Sequence, residues 1–318
     1  MQTSEWTACI PVRDEERTLA RTVISIQNQS TNSSLVSILI GANGCRDNTV
    51  RIARDLSKQD SRIQVIESPI PGKARMWNTL FNQAPTNNVL FTDGDVVLHE
   101  NAAENLVKAI NTSKDAMIGG STVSYINDLP LFQRFLGSAY ANHNGSHNLW
   151  LTGQLYILDN LRVRAKLLDK GIPEMPEKVL HEDNWLTHAL HPDWSVISEA
   201  RAFCRPYGLH EINKLRRRYI IADTQVESEL YPRIMKKWNP IPKEKDSLLV
   251  RFQRALRTRT HSYEQFLAYC IAFSITNISK SFNESSARRK FATTPNYWET
   301  SKYSKQPLPA GLEFTKLN

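Results

Sequence analysis

Asn88-Val89-Leu90-Phe91-Thr92-Asp93-Gly94-Asp95-Val96-Val97 decides how the rest of the chain is read. Val89, Leu90 and Phe91 form a short apolar run, the pattern of a buried strand. The run stops at two carboxylates with a glycine between them. Asp93 and Asp95 therefore fall at the carboxyl end of a strand, where open α/β sheets bind their ligands. Carboxylates at i and i+2 on a turn reach one hard cation, and Gly94 lets the backbone bend between them. Mg²⁺ or Mn²⁺ takes one or two such carboxylates and completes its shell with substrate phosphate oxygens. A solvated Asp-Gly turn has the same composition, so the flanking sequence has to decide.

Upstream, strands and helices alternate. Thr7 to Val12 reads as a strand. Asp14 stands where it can cap a helix over residues 15–27, with Leu19, Val23, Ile24 and Ile26 on its apolar face. Leu35 to Ile40 is a second strand, ending in the polar turn Gly41-Ala42-Asn43-Gly44-Cys45-Arg46-Asp47-Asn48-Thr49 before a helix over 50–56. Ile63 to Ile66 is a third strand, and Gly72-Lys73 opens a third helix. This alternation implies βαβ units and a mainly parallel sheet flanked by helices. Downstream, a helix is expected over 101–110 and strands over 116–123, 150–158 and 194–198. Trp185, Leu186 and Leu190 place Glu182-Asp183 at a helix start, where the helix dipole favours acids.

In order, spacing and chemistry, the first 110 residues resemble the nucleotide-sugar-binding half of family 2 glycosyltransferases. The matching pieces are Ile10-Pro11-Val12 followed by acids, Asp47-Asn48-Thr49 after the second strand, Gly72-Lys73 with Asn78, and Asp93-Gly94-Asp95. The resemblance implies a GT-A-like fold with a Rossmann-like nucleotide-binding half. It puts Pro11 and Glu15 beside the nucleotide, Asn43 near the base, and Lys73 and Asn78 on the donor. Asp95 and Asp93 would hold Mn²⁺ or Mg²⁺. Asn43 replaces the aspartate common in the family; its amide still offers a base edge a donor and an acceptor. A UDP-sugar is the expected donor, and a hydroxyl on a saccharide, a lipid-linked saccharide or a small molecule the expected acceptor. Thr152 and Gly153 are acceptor-side candidates. Asp183 lies 88 positions after Asp95 and matches the family's general base in an inverting reaction, with Glu182 beside it. Arg218 in Arg218-Tyr219 matches the arginine of a phosphate-binding box, and His210 or His181 is the available third metal ligand. The boundaries expected are 1–230 for the transferase domain, split at about 110, and 231–318 for a basic, mostly helical extension.

Composition bounds the alternatives. Cys9, Cys45, Cys204 and Cys270 have no paired spacing, which argues against zinc and against a disulfide framework. The charge divides unevenly, with a net −4 over residues 1–200 and +12 over 201–318. A basic segment attracts anions: phosphates, nucleic acid or an acidic membrane face. Nucleic acid is disfavoured because no aromatic platform interleaves the arginines. A sugar-phosphate nucleotidyltransferase would use a similar sheet and metal, but the N-terminal Gly-rich phosphate loop it needs is missing. The run from Phe266 to Ile275 reads either as a helix lying on the inner face of the membrane, in a cytoplasmic chain, or as the dry core of a helical subdomain.

Overall fold

The computed structural model describes residues 4–125, 151 and 153–204. At its centre is β1 (Trp6–Val12), buried at every position. It runs parallel to β2 (Leu35–Asn43) on one side and to β4 (Asn88–Thr92) on the other, and β3 (Ile63–Ser68) lies parallel beyond β2. A strand covered on both faces reads as a continuous apolar run, which is why β1, β2 and β4 show little alternation in sequence. The pleat still sorts their side chains. Ala8, Ile10, Val12 and Leu90 enter the core beneath α1 (Leu19–Gln27), α2 (Thr49–Gln59) and α4 (Ala102–Thr112). Cys9, Val89 and Phe91 enter the opposite core, with α3 (Lys73–Gln83), α5 (Asn160–Asp169) and α6 (Glu182–Ala189).

The strand order is β3-β2-β1-β4-β7-β6-β8-β5. The short β5 (Val97–Leu98), β6 (Ile118–Tyr125), β7 (Leu155–Asp159) and β8 (Trp194–Cys204) make up the second half. The expected parallel character belongs to the first half and to β6–β8. The β4–β7, β7–β6 and β5–β8 pairings are antiparallel. β1 leads to β2 on one side and has β4 on the other, so strand order reverses there and a crevice opens at the carboxyl ends of β1 and β4.

Several elements depart from the sequence reading: β5 was not expected, β7 begins only at Leu155, β8 runs on to Cys204, and two helices differ. α1 starts at Leu19, not at residue 15. Asp14 takes a left-handed conformation, φ 57°, and its Oδ1 accepts the Arg46 N–H at 2.7 Å. It ties two loops together, and the residue at the N-cap of α1 is Thr18. The unpredicted helix is α5, capped by Asp159, whose side chain accepts the Arg162 N–H. Val163 and Leu167 are buried, but Leu161 and Leu168 point outward at 70% and 63% exposure, which blurs the apolar stripe. The expectations for residues 126–150 and 205–318, including the C-terminal extension, lie outside the described residues. Among the described residues no helix is long and apolar enough to cross a membrane.

Arg162 fastens the two halves of the second core. Its guanidinium donates to the carbonyls of Ser113, Lys114, Asp115 and Ala116, at 3.3, 2.8, 3.0 and 2.9 Å. These are the last residues before β6 approaches the sheet. Arg162→Ala leaves those carbonyls short of a charged donor and should lower the unfolding free energy by about 1–3 kcal/mol. Urea titration with an unchanged slope would establish this.

Candidate active site

The turn after β4 is locked on both sides. Thr92 Oγ1 and the Asp93 N–H both donate to the Gln154 carbonyl, at 2.8 and 3.3 Å. The Gly94 carbonyl accepts from Thr22 Oγ1 of α1 at 2.9 Å. Gly94 is required for room and not for an unusual bend, since it is not among the described glycines with positive φ. A Cβ there would stand 2.7 Å from Val12 Cγ1 and 3.0 Å from Glu15 Cγ. The carboxylate turn is therefore seated directly against the end of β1.

Lys73 begins α3 and turns toward this turn. Its Nζ lies 2.7 Å from Asp93 Oδ1 and 2.5 Å from Glu182 Oε1. Glu182 and Asp183 begin α6, and Glu182 is 4% exposed. One ammonium thus joins a strand end to a helix start far away in sequence. Asp183 Oδ2 accepts the Gly153 N–H at 3.0 Å and its Oδ1 accepts the Asn184 N–H at 2.8 Å. Beneath the cluster, the rings of Phe81, Trp77, Phe91 and Tyr156 stack in succession at 4.7, 5.0 and 5.6 Å between centroids. The Trp77 indole donates to the Tyr156 hydroxyl at 2.8 Å. This apolar floor keeps the dielectric low around three carboxyls and one ammonium.

The electrostatics follow from that crowding. Burial pushes the Glu182 carboxyl up to about 7; Lys73 opposes the shift, and Asp183 and Asp93 add to it. Asp183 is raised as well, by burial first, with Lys73 and its two backbone N–H partners opposing. Burial acts to lower Lys73, but the charges of Asp93 and Glu182 outweigh it and hold the ammonium above its ordinary range. The Cys204 thiol at the end of β8 is pushed up by burial, then by Asp95 and Asp93. β8 therefore ends beside the same carboxylates.

Of the residues singled out by sequence, the fold brings Lys73, Asp93, Gly153, Glu182 and Asp183 together, with Asp95 on the same turn and Glu15 behind it, while Pro11 pairs with Gly41 of β2. Two expectations need correction. Asn43 is 2% exposed; its amide donates to the Val12 carbonyl at 2.8 Å and accepts the Gly72 N–H at 3.1 Å. It clamps the end of β1 to the residue before Lys73 and presents no open edge to a base. Asn78 donates to the Met175 carbonyl and accepts the Met175 N–H, at 2.8 and 3.2 Å, so it holds the loop before α6 to α3. Thr152, Arg218 and His210 lie outside the described residues. Tyr156 and Cys204 were not anticipated, because only the antiparallel return of β7 and the length of β8 carry them to the site; Trp77, on α3, was read only as part of a helix.

Asp93 and Asp95 suit a hard divalent cation by donor chemistry and by place. Among the described residues no three His, Cys, Asp or Glu side chains converge as a ready-made metal cage. Two carboxylates completed by phosphate oxygens is the manner in which Mg²⁺ is commonly held.

A family profile of glycosyl transferase family 2 matches residues 7–169, more than half of the chain. The chain belongs to glycosyl transferase family 2. Glycosyltransferase AglE of Haloferax volcanii is 27% identical over 113 residues, which is 35% of this chain and 37% of that relative's length. The mannosyltransferase PcManGT of Pyrobaculum calidifontis, solved in complex with GDP-Man and Mn²⁺, superposes with a TM-score of 0.52 at 14% identity. That superposition covers 92% of this chain and 82% of the other, and it bears on the fold alone. The family match takes in Lys73, Asp93, Asp95 and Gly153 but stops before Glu182-Asp183. Lys73 and Gly153 tie that pair to the matched region.

Gly153 is closely confined by the acid pair. A Cβ on it would meet Asp183 Oδ2 at 3.1 Å, Asp183 Cγ at 3.2 Å and Glu182 Oε1 at 3.4 Å. Gly153→Ala should displace the carboxylate pair, with turnover of nucleotide-sugar falling by about tenfold or more, as small misplacements of reacting groups do. An unchanged melting temperature alongside the lost rate would place the effect at the site and not in the fold.

Proposed function

We propose that this chain transfers a sugar from a nucleoside-diphosphate sugar to an acceptor hydroxyl, with inversion at the anomeric carbon and with a divalent cation. The observation that carries this reading is the Lys73 bridge, which sets the Asp93-Gly94-Asp95 turn beside Asp183. Donor-side and acceptor-side chemistry need to sit that close. The Pyrobaculum mannosyltransferase, solved with GDP-Man and Mn²⁺, supports the same donor and metal class. UDP is the expected nucleotide; with Asn43 buried against backbone, the base must be read by other residues.

In this reading Asp183 takes the proton of the acceptor hydroxyl. The freed oxygen attacks the anomeric carbon from the face opposite the diphosphate, and the carbon–phosphate oxygen bond breaks as the new bond forms. The Gly153 and Asn184 N–H groups hold the Asp183 carboxylate in one orientation. Asp95 and Asp93 would hold Mn²⁺ or Mg²⁺, which supplies charge neutralisation for the departing diphosphate when bound. Lys73 adds a fixed positive charge on the same side. The acceptor hydroxyl approaches the Asp183 carboxylate, which packs against Gly153. A membrane contact through the basic C-terminal segment would suit lipid-linked acceptors.

Two outcomes follow. Asp95→Asn should abolish both activity and Mn²⁺-dependent stabilisation by nucleotide-sugars in a thermal-shift panel; donor binding unaffected by that substitution would remove the metal from the proposal. Asp183→Asn should cut kcat by roughly 10²–10⁴ while donor still binds. Because the base acts as an anion and burial raises its pKa, wild-type kcat/KM should rise with pH along an acid limb above the ordinary carboxylate range. An acid limb near pH 4 would point to a solvated base elsewhere.

A further inference from the structure

Lys73 is held by two carboxylates of unequal freedom. Glu182 is 4% exposed and rooted in the first turn of α6, over the aromatic stack. Asp93 is 31% exposed at its side chain and sits on the turn that faces the crevice. The Lys73 side chain itself is 12% exposed, so it cannot swing into solvent without losing its packing. Glu182 is therefore the fixed anchor and Asp93 the exchangeable partner. An ammonium has three donors and can keep one anchor while trading another.

Asp93 Oδ1 already carries this cation. A divalent ion arriving at the same carboxylate meets a positive charge a few ångströms away, in surroundings that screen it poorly. A diphosphate removes the conflict, because its oxygens accept the Lys73 ammonium while it stays on Glu182 and Asp93 is freed. We propose that Lys73, anchored by Glu182, is an internal counter-cation that competes with the divalent metal for Asp93 until a diphosphate takes the ammonium over. Glu182 is then a positioning residue that acts through Lys73 and does not touch substrate. By linkage, nucleoside diphosphate and metal each strengthen binding of the other. The site would stay metal-poor until donor is present, which limits unproductive metal binding. This inference rests on the metal-dependent reading above.

The test is Mn²⁺ binding to the full chain, read from the free-ion electron paramagnetic resonance signal, alone and with saturating UDP or GDP. Lys73→Gln removes the competitor and should bind Mn²⁺ alone about fivefold or more tighter than wild type, the lower range of couplings between sites. With nucleoside diphosphate the order should close or reverse, because the variant lacks the ammonium that holds the phosphate. Lys73→Gln leaves a buried Glu182 without its partner and can fail to fold. The double variant Lys73→Gln with Glu182→Gln removes the ion pair at constant net charge. It should also bind Mn²⁺ alone more tightly than wild type, which simple loss of positive charge would not produce. If wild type binds Mn²⁺ with UDP or GDP but neither variant gains affinity for Mn²⁺ alone, the competition is refuted and the proposed transferase reading stands. If no protein binds Mn²⁺ under any condition, the metal reading fails and this inference fails with it.

Discussion

The structure around the site depends on one buried ammonium. Lys73 neutralises two of the three carboxyls packed over a dry aromatic floor, from Asp93 on the sheet and Glu182 on α6. Removing one partner of such a buried pair is strongly destabilising, because it leaves a charge without solvent or counter-ion. That constraint explains several residues at once. Asn43 fixes the start of α3 through the Gly72 N–H, and Asn78 fixes the loop leading to α6 through Met175. Both act to hold the ammonium and its anchor in one place.

The same constraint gives the two glycines their meaning. Gly94 lets the carboxylate turn lie against Val12 and Glu15, and Gly153 lets β7 begin against the acid pair. Neither is among the described glycines with positive φ. They are places where the backbone meets neighbouring side chains more closely than a Cβ allows. The Asp183 carboxylate is held by the Gly153 and Asn184 N–H groups, and its burial raises its pKa. Packing and proton affinity are thus set by the same contacts.

The two halves of the sheet contribute differently. The parallel half supplies β1, β4 and the start of α3, hence the turn, the ammonium and the crevice at their ends. The antiparallel return through β7 and the start of α6 supplies Gly153, Tyr156 and the acid pair. The family match ends at residue 169, before that pair, so the assignment of Glu182 and Asp183 rests on contacts with matched residues.

By itself the sequence determined the strand–helix alternation through α4, the strand-end position of Asp93 and Asp95, and the helix start at Glu182-Asp183. Each of these is local: an apolar run, a turn residue, a cap or an acid beside a helix dipole. It singled out Lys73 and Asp183 as candidates but did not show that one ammonium links their surroundings. Only the tertiary structure decided that Asn43 and Asn78 bind backbone, that Gly94 serves proximity, and that α5 exists behind a blurred apolar stripe. Only it could place Cys204 beside the carboxylates and pair Glu182 with Lys73 while Asp183 accepts two backbone N–H groups. The physical reason is that burial and charge pairing are set by neighbours distant along the chain, and no local pattern encodes which distant neighbour arrives.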